Sequence, residues 1–270
     1  MISRVGDLLR AGEIAPADAR VLLRGVLQLA DAQIAAHPER ELTADQLLQY
    51  RTLVARRRAG EPVAYLTGER EFFSLALKVS SAVLIPRPET ELLVELALER
   101  IPQGGASRVL DLATGSGCVA VAIARTHPAA RVTATDISAA ALALARENAG
   151  RHGAVLELIE SDWFEALAAR HFDLIVANPP YVAAGDRHLD AGDLRFEPRQ
   201  ALVAGPTGYE CIDKIVAQSP RHLEPGGWLL VEHGYDQAAG CRDRLAGGKF
   251  KEVFSARDLA GIERVSGGQV

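Results

Sequence analysis

Apolar residues recur along this chain with two different periods. Over roughly the first 67 positions they fall at helical spacing. Leu22, Val26 and Leu29, with Leu23 and Leu27 beside them, predict one buried helix face. Pro16 and Asp18 suit the first turn of that helix, where a missing N–H costs nothing and a negative charge meets the helix dipole. Thr43 predicts an N-cap for "ADQLLQYRTLVARRRAG", Gly60 predicts its stop, and Leu47, Tyr50 and Val54 line one face. Arg56-Arg57-Arg58 reads as a solvated helix C-terminus, favoured by the same dipole. The pattern then changes. "REFFSLALKVSSAVLI" alternates apolar and polar positions, as a short hairpin does. From about residue 88, helical and strand periods take turns: a helix over 89–100, strands at "SRVLDL", "RVTATD", "AVLELIES" and "FDLIVA", helices between them, a short helix near 163–169, a long loop, then a helix at about 208–218 and the strand "GWLLVEHG". A last helix and two weaker strands follow. Such alternation predicts an α/β fold with an open, mostly parallel sheet flanked by helices. The expected divisions are a helical domain over 1–67, a β-hairpin linker over 68–86 and an α/β domain over 87–270.

Composition narrows the function classes. A net charge of −5 on 270 residues argues against a protein built mainly to hold nucleic acid, so no stable nucleic-acid partner is expected. Cys118, Cys211 and Cys241 form no CxxC pair, which suggests reduced thiols in a cytoplasmic protein. No apolar run reaches the length of a membrane span, and "MISRVGDLLRAGEI" lacks the apolar stretch of a signal peptide. The seven histidines show no metal-ligand spacing, so no metal is expected.

"VLDLATGSGCVAVAIA" is a strand, a glycine turn and a helix. Such a turn lets the backbone approach a ligand, and the helix start offers free N–H groups. Gly115 to Ala120 fits G-x-G-x-x-A, and Asp136 ends the next strand, 19 residues beyond Gly117. An acid there can bind two ribose hydroxyls. The loop and Asp136 therefore point to an adenosine-type cofactor. The other role open to Asp136, a helix cap, suits Ser138 better. Asp111 ends the first strand of the unit, where a buried carboxylate must hold a donor: loop amides or a ligand ammonium. Thr114 stands where a nucleophile elbow needs glycine, which sets a hydrolase aside. Asp162 and Trp163 follow the third strand of the sheet and are placed to read an adenine, one by hydrogen bonding and one by stacking. A Trp merely packed at a helix start is the competing account.

"FDLIVANPPYVAA" stops a buried strand at a rigid elbow, Asn178-Pro179-Pro180-Tyr181. A planar NH2 group is a poor nucleophile, because its lone pair is delocalised. The Asn178 side-chain oxygen and the Pro179 carbonyl are two acceptors that could hold both N–H bonds of such a group, with Tyr181 packed against its plane. Rate would come from orientation and preorganised acceptors, which accounts for a motif without histidine or lysine.

Together, the glycine loop, the acid and the elbow resemble class I S-adenosylmethionine-dependent N-methyltransferases. "EPVAYLTGEREFFSLALKVSSAVLIPRPETELLV" (61–94), "DLATGSG", "SDWF", "HLDAGDLRFEPRQALVAGPTGYECI" (188–212) and "VEHGYDQ" are similar to the protein-(glutamine-N5) methyltransferases that modify peptide-chain release factors, the HemK/PrmC family. The resemblance covers nearly the whole chain. It implies a seven-stranded class I methyltransferase sheet behind a small helical domain that helps recognise the release factor. It implies S-adenosylmethionine held by Ala113, Thr114, Gly115, Ser116, Gly117, Asp136, Asp162, Trp163 and Asn178. It implies that Asn178, Pro179, Pro180 and Tyr181 hold the glutamine of a Gly-Gly-Gln motif. Pro86 to Glu91 should close one wall of the site. Position 113 departs from the family, which usually has glycine there; if that residue needs positive φ, alanine is strained.

Rival readings keep part of these observations. NPPY is shared with adenine-N6 DNA and RNA methyltransferases. A ribosomal-protein glutamine methyltransferase is a close neighbour, and "GDLRFEP" tilts the choice to release factors. An NAD-dependent oxidoreductase would explain the glycine loop and leave the elbow without a role. A non-catalytic protein that keeps the fold would be expected to lose Asn178 or Gly115; both are present. The segment "VSGGQV" also holds Gly267-Gly268-Gln269, a match to the substrate motif: the abundance of glycine favours chance, and self-methylation or occupancy of the site by this segment is the alternative.

Overall fold

The computed structural model describes residues 3–102 and 104–270. They divide into two compact units, the chain up to Glu69 with Asp190–Phe196, and Arg70–Leu189 with Glu197–Val270. The first unit holds five helices: α1 (Val5–Arg10), α2 (Pro16–Leu27), α3 (Asp31–Ala36), α4 (Ala44–Arg58) and α5 (Val63–Thr67). Thr43 caps α4 reciprocally: its Oγ1 accepts from Gln46 N at 3.2 Å, and Gln46 Oε1 accepts from Thr43 N at 3.1 Å. Leu22, Leu23, Leu47, Tyr50 and Val54 share the buried core of this unit. Leu29 departs from the expected stripe. Gln28 turns left-handed at φ 56° and ends α2 at Leu27, so Leu29 is not helical. The arginine run at the end of α4 also differs from a merely solvated terminus. Arg57 Nε bonds Asp18 at 2.7 Å and its Nη1 bonds Asp193 at 3.0 Å, while Arg56 pairs with Glu61.

The second unit opens with a short hairpin, β1 (Glu69–Phe72, whose first residue closes the first unit) and β2 (Leu75–Lys78). A 3₁₀ turn at Pro88–Thr90 leads into α6 (Glu91–Arg100). Then come β3 (Arg108–Leu112), α7 (Cys118–Thr126), β4 (Arg131–Asp136), α8 (Ala139–His152), β5 (Leu156–Glu160) and β6 (Phe172–Ala177). The expected helix near Trp163 is only a 3₁₀ turn, Glu165–Leu167. The expected long loop contains a small parallel pair, β7 (Val182–Ala183) with β8 (Val203–Gly205). The chain continues through α9 (Glu210–Gln218), β9 (Leu223–Glu232), α10 (Ala238–Gly247), β10 (Lys251–Arg257) and β11 (Glu263–Gln269).

Seven strands form one sheet in the order β10-β11-β9-β6-β3-β4-β5, with β11 antiparallel to both neighbours and the rest parallel. Successive residues of each strand feed opposite faces. Val109, Val132, Leu174, Val176 and Leu230 join α6, α7 and α8 in one core; Leu110, Leu112, Ile175 and Leu229 join α9 and α10 in the other. This is the open, mostly parallel α/β sheet that the alternation predicts, with the seven strands that the resemblance implies.

Register sets the rim. Leu112 pairs with both Thr135 and Ala177, Asp136 pairs with Glu160, and Ala177 pairs with Val231. The glycine loop, Asp136, Ser161, the elbow and Glu232 therefore leave the sheet side by side, beyond the carboxyl ends of the strands. The order reverses between β3 and β6, which is where open α/β sheets bind ligands.

The Gly267-Gly268-Gln269 match lies inside β11, paired with Leu230, Leu229 and Trp228. A side chain on Gly267 would meet Leu230 at 2.6 Å, so packing explains the glycine there. Among the described residues no helix is long and apolar enough to cross a membrane.

Candidate active site

A cavity of about 480 Å³ opens on this rim of the second unit. Of the residues singled out in the sequence, Ala113, Thr114, Gly115, Ser116, Asp136, Asp162, Trp163, Asn178 and Pro180 line it. Gly117, Pro179 and Tyr181 are not among its lining residues. Pro86, Arg87 and Thr90 answer for the 86–91 segment.

The glycine loop is held shut by its own backbone. Thr114 N donates to Thr135 O at 2.9 Å, and Gly117 N donates to Thr114 O at 2.8 Å. Ala113, Gly115 and Gly117 all have positive φ, at 56°, 56° and 80°. Ala113 therefore carries the strain that its identity foretold, about 1–2 kcal/mol for an L-residue in that region. Gly117 has a second reason to be glycine: a Cβ there would lie 3.0 Å from the Cβ of Ala145 in α8.

Two carboxylates anchor the loop. Asp136 accepts from Gly115 N and Ser138 N, each at 2.9 Å, and Ser138 Oγ caps α8 by accepting from Ala141 N at 3.2 Å. Burial raises the Asp136 pKa, against the lowering pull of those amides. Asp111 is 2% exposed, and its Oδ2 accepts from the Thr114 hydroxyl at 2.6 Å and Ala120 N at 3.2 Å. Burial pushes its carboxyl up to about 7; the Thr114 and Ala120 hydrogen bonds oppose the rise, and the Asp136 charge adds to it.

Beyond β5, Ser161 N donates to Asp136 O at 3.0 Å, and the Ser161 hydroxyl bonds Trp163 O at 3.0 Å. That turn holds Trp163 at φ 50°, a second strained residue lining the cavity.

At the elbow, Asn178 Nδ2 donates to Thr90 Oγ1 at 3.1 Å. Its Oδ1 is buried and has no hydrogen-bond partner. A buried acceptor left unpaired costs about 1–3 kcal/mol, so an orphan on a cavity wall is a position kept for a donor. Tyr181 turns instead toward Glu232: its hydroxyl lies 3.4 Å from Oε1, and Gln237 Nε2 holds its carbonyl at 3.1 Å. Burial raises the Tyr181 pKa, and the Glu232 charge adds to that. Burial also drives the Glu232 carboxyl up to about 7; hydrogen bonding from Thr90 and Tyr181 opposes the rise, Glu89 adds to it and Arg264 opposes it. Glu232 Oε2 nevertheless has no partner at full hydrogen-bond geometry.

Four supporting residues were not singled out individually in the sequence. Thr90 and Glu232 are two of them. Asn148 is buried in α8 and bonds Ser116 O at 2.8 Å, Lys78 N at 2.7 Å and Lys78 O at 3.0 Å, tying the loop to β2. Glu197, from "RFEP", accepts from Ile85 N at 3.0 Å and from Arg87 at 2.5 Å, joining two walls of the cavity. An asparagine in mid-helix, a poor position for that residue, was the one visible signal. Among the described residues no cluster of three or more His, Cys, Asp or Glu side chains could hold a metal.

Comparison with known proteins decides the family. The PrmC N-terminal domain matches residues 1–68, and the Methyltransferase small domain matches residues 89–205. The release factor glutamine methyltransferase of Bordetella pertussis is 49% identical over 263 residues, covering 97% of this chain and 97% of that relative. This chain belongs to the release factor glutamine methyltransferases. A family member from Escherichia coli is 45% identical over 97% of this chain and 94% of its own length. Solved structures agree on the fold. A Thermus thermophilus 16S rRNA N2 G1207 methyltransferase, in complex with AdoMet and guanosine, superposes with a TM-score of 0.55 at 21% identity, over 74% of this chain and 49% of that one.

Proposed function

We propose that this protein transfers a methyl group from S-adenosylmethionine to the side-chain amide nitrogen of the glutamine in the Gly-Gly-Gln motif of peptide-chain release factors, and so modulates translation termination in the cytoplasm. The unpaired Asn178 Oδ1 on the cavity wall carries this reading. The names of relatives nearly half identical over almost the full chain support the substrate.

The cavity fits the cofactor. Asp136, paired only to backbone amides, keeps lone pairs for ribose hydroxyls; Trp163 and Asp162 offer a flat apolar face and an acceptor for an adenine. The loop from Ala113 to Gly117 brings backbone close to the ligand, and Asp111 is the carboxylate nearest to hand for an ammonium group. Bound S-adenosylmethionine supplies an electrophilic methyl group. The elbow does the rest: Asn178 Oδ1, with the Pro179 carbonyl, accepts the two N–H bonds of the substrate amide and turns its nitrogen lone pair out of conjugation. The nitrogen becomes acidic as it is alkylated, so its proton passes to solvent without a strong base. Orientation and fixed acceptors supply the rate. Pro180 and Tyr181 stiffen the elbow, and the helical unit recognises the body of the release factor. No stable nucleic-acid partner is called for.

The test is transfer of labelled methyl to a purified release factor, its Gln-to-Ala variant in the Gly-Gly-Gln loop, a ribosomal-protein fraction and DNA. The expected result is label on the release factor alone, lost in the variant. Label on DNA or on a ribosomal protein would sink the substrate and keep the elbow chemistry.

A further inference from the structure

We infer that Thr90 and Glu232 are positioning residues that hold the Asn178 amide with its oxygen, not its nitrogen, toward the cavity. The inference rests on the reading of Asn178 as the acceptor for a substrate amide. Half a turn about the last side-chain torsion exchanges Oδ1 and Nδ2 at nearly equal volume. Packing alone therefore cannot choose between an acceptor and a donor at this spot. The choice must come from the group on the other side, Thr90 Oγ1, 3.1 Å from Nδ2.

A hydroxyl has one proton to give. If it gives that proton to Asn178, the amide turns its NH2 into the cavity, and the site opposes the N–H bonds of its substrate. If the proton goes elsewhere, Oγ1 offers only lone pairs, and only Nδ2 can satisfy them. Thr90 is 1% exposed, so bulk water does not compete for the proton. Glu232 is the acceptor at hand. It follows Val231, which pairs with Ala177, the residue before Asn178, so strand register itself sets the carboxylate beside the elbow. It is 2% exposed, its contact from Tyr181 is long at 3.4 Å, and its Oε2 has no partner. The Thr90 hydroxyl stabilises its charge. A buried carboxylate short of donors accepts a hydrogen bond from the threonine hydroxyl. The threonine oxygen then accepts from the Asn178 NH2 group, and the amide oxygen is left facing the cavity. The polarity of three side chains from α6's leading turn, β9 and the elbow thus fixes one acceptor.

The test compares Thr90→Val, which keeps shape and removes the hydroxyl, with Thr90→Ser, which keeps the hydroxyl, measuring kcat, KM and cofactor affinity for each. Misplacing a group that positions the reacting atoms can cost about 100-fold, and Thr90→Val is expected to lose about that much in kcat with cofactor affinity unchanged. Thr90→Ser should restore kcat close to wild type. Wild-type kcat in Thr90→Val, or an equal loss in Thr90→Ser, overturns the inference. Should Thr90→Val fail to fold, Glu232→Met serves, because it keeps the length and removes both oxygen acceptors: lower kcat at unchanged cofactor affinity supports the device, and wild-type kcat overturns it. Asn178→Ala is assayed beside them. An inactive Asn178→Ala with an unaffected Thr90→Val removes only this inference, whereas a fully active Asn178→Ala removes the acceptor reading beneath it.

Discussion

The glycine loop and the elbow leave the sheet from paired residues, Leu112 and Ala177, yet they end in opposite ways. At the loop, both anchoring carboxylates are met, Asp136 by two backbone amides and Asp111 by a hydroxyl and an amide, and only the small Ser116 hydroxyl is buried without a partner. At the elbow, Asn178 Oδ1 is left bare. The loop stores its tension in the backbone instead, in the left-handed Ala113. The difference separates two tasks. A surface that only holds a ligand can keep its charged anchors paired, with lone pairs to spare. A surface that must act on a reacting group keeps one strong acceptor open and bears that cost in the resting protein.

The largest effect should come from closing the open side. Asn178→Ala is expected to lower kcat by about 100–1000-fold, the scale of losing one preorganised hydrogen-bonding group, while cofactor affinity measured by calorimetry changes far less. An equal fall in both would erase the distinction between holding and acting. Next is Asp111→Asn, on the paired side. The Asp111 pKa is raised in the folded protein to about 7, so its favourable contribution is complete in acid and is lost as pH rises through that value. The variant should therefore gain about 4 kcal/mol in urea unfolding at pH 8 and little near pH 4, because the rise from 3.8 to about 7 spans about three tenfold steps of about 1.4 kcal/mol each. A stability gain that ignores pH would mean the buried charge is not what burdens the loop. The smallest effect is expected from Ala113→Gly. Relief of the left-handed strain, about 1–2 kcal/mol, is largely offset by the freer unfolded chain, leaving a gain of about 0.5 kcal/mol. Thermal unfolding that falls instead of rising would show that the alanine methyl packs usefully.

Much of this was legible because it is local. The alternation of periods specifies the sheet, Ser138 stands where a helix start wants a cap, and the alanine at 113 announces strain in a turn that favours glycine. Most of the failures come from distance along the chain, and one from a local turn. Asn178 and Glu232 are brought together by the register of β6 with β9, and Thr90 reaches Asn178 from the turn before α6, 88 residues earlier in the chain. Segment 190–196 joins the helical unit through contacts such as Arg57 with Asp193, which no window of sequence contains. Leu29 looked periodic because helical spacing does not reveal a left-handed Gln28. Tyr181 is in the motif by sequence, and its turn toward Glu232 and Gln237 depends on residues that are 51 and 56 positions further on.

The Gly-Gly-Gln triplet in β11 has a kinetic consequence. On the proposed reading of the substrate, a free triplet of that kind would compete for the sites of other copies at the enzyme's own concentration, and turnover per molecule would fall as the protein became more abundant. Pairing the triplet with β9, and Gln269 Nε2 with Gly226 O at 2.8 Å, keeps its glutamine out of that competition. A search for targets by motif alone would count this strand as one; a search that also asks whether the backbone is already paired would not.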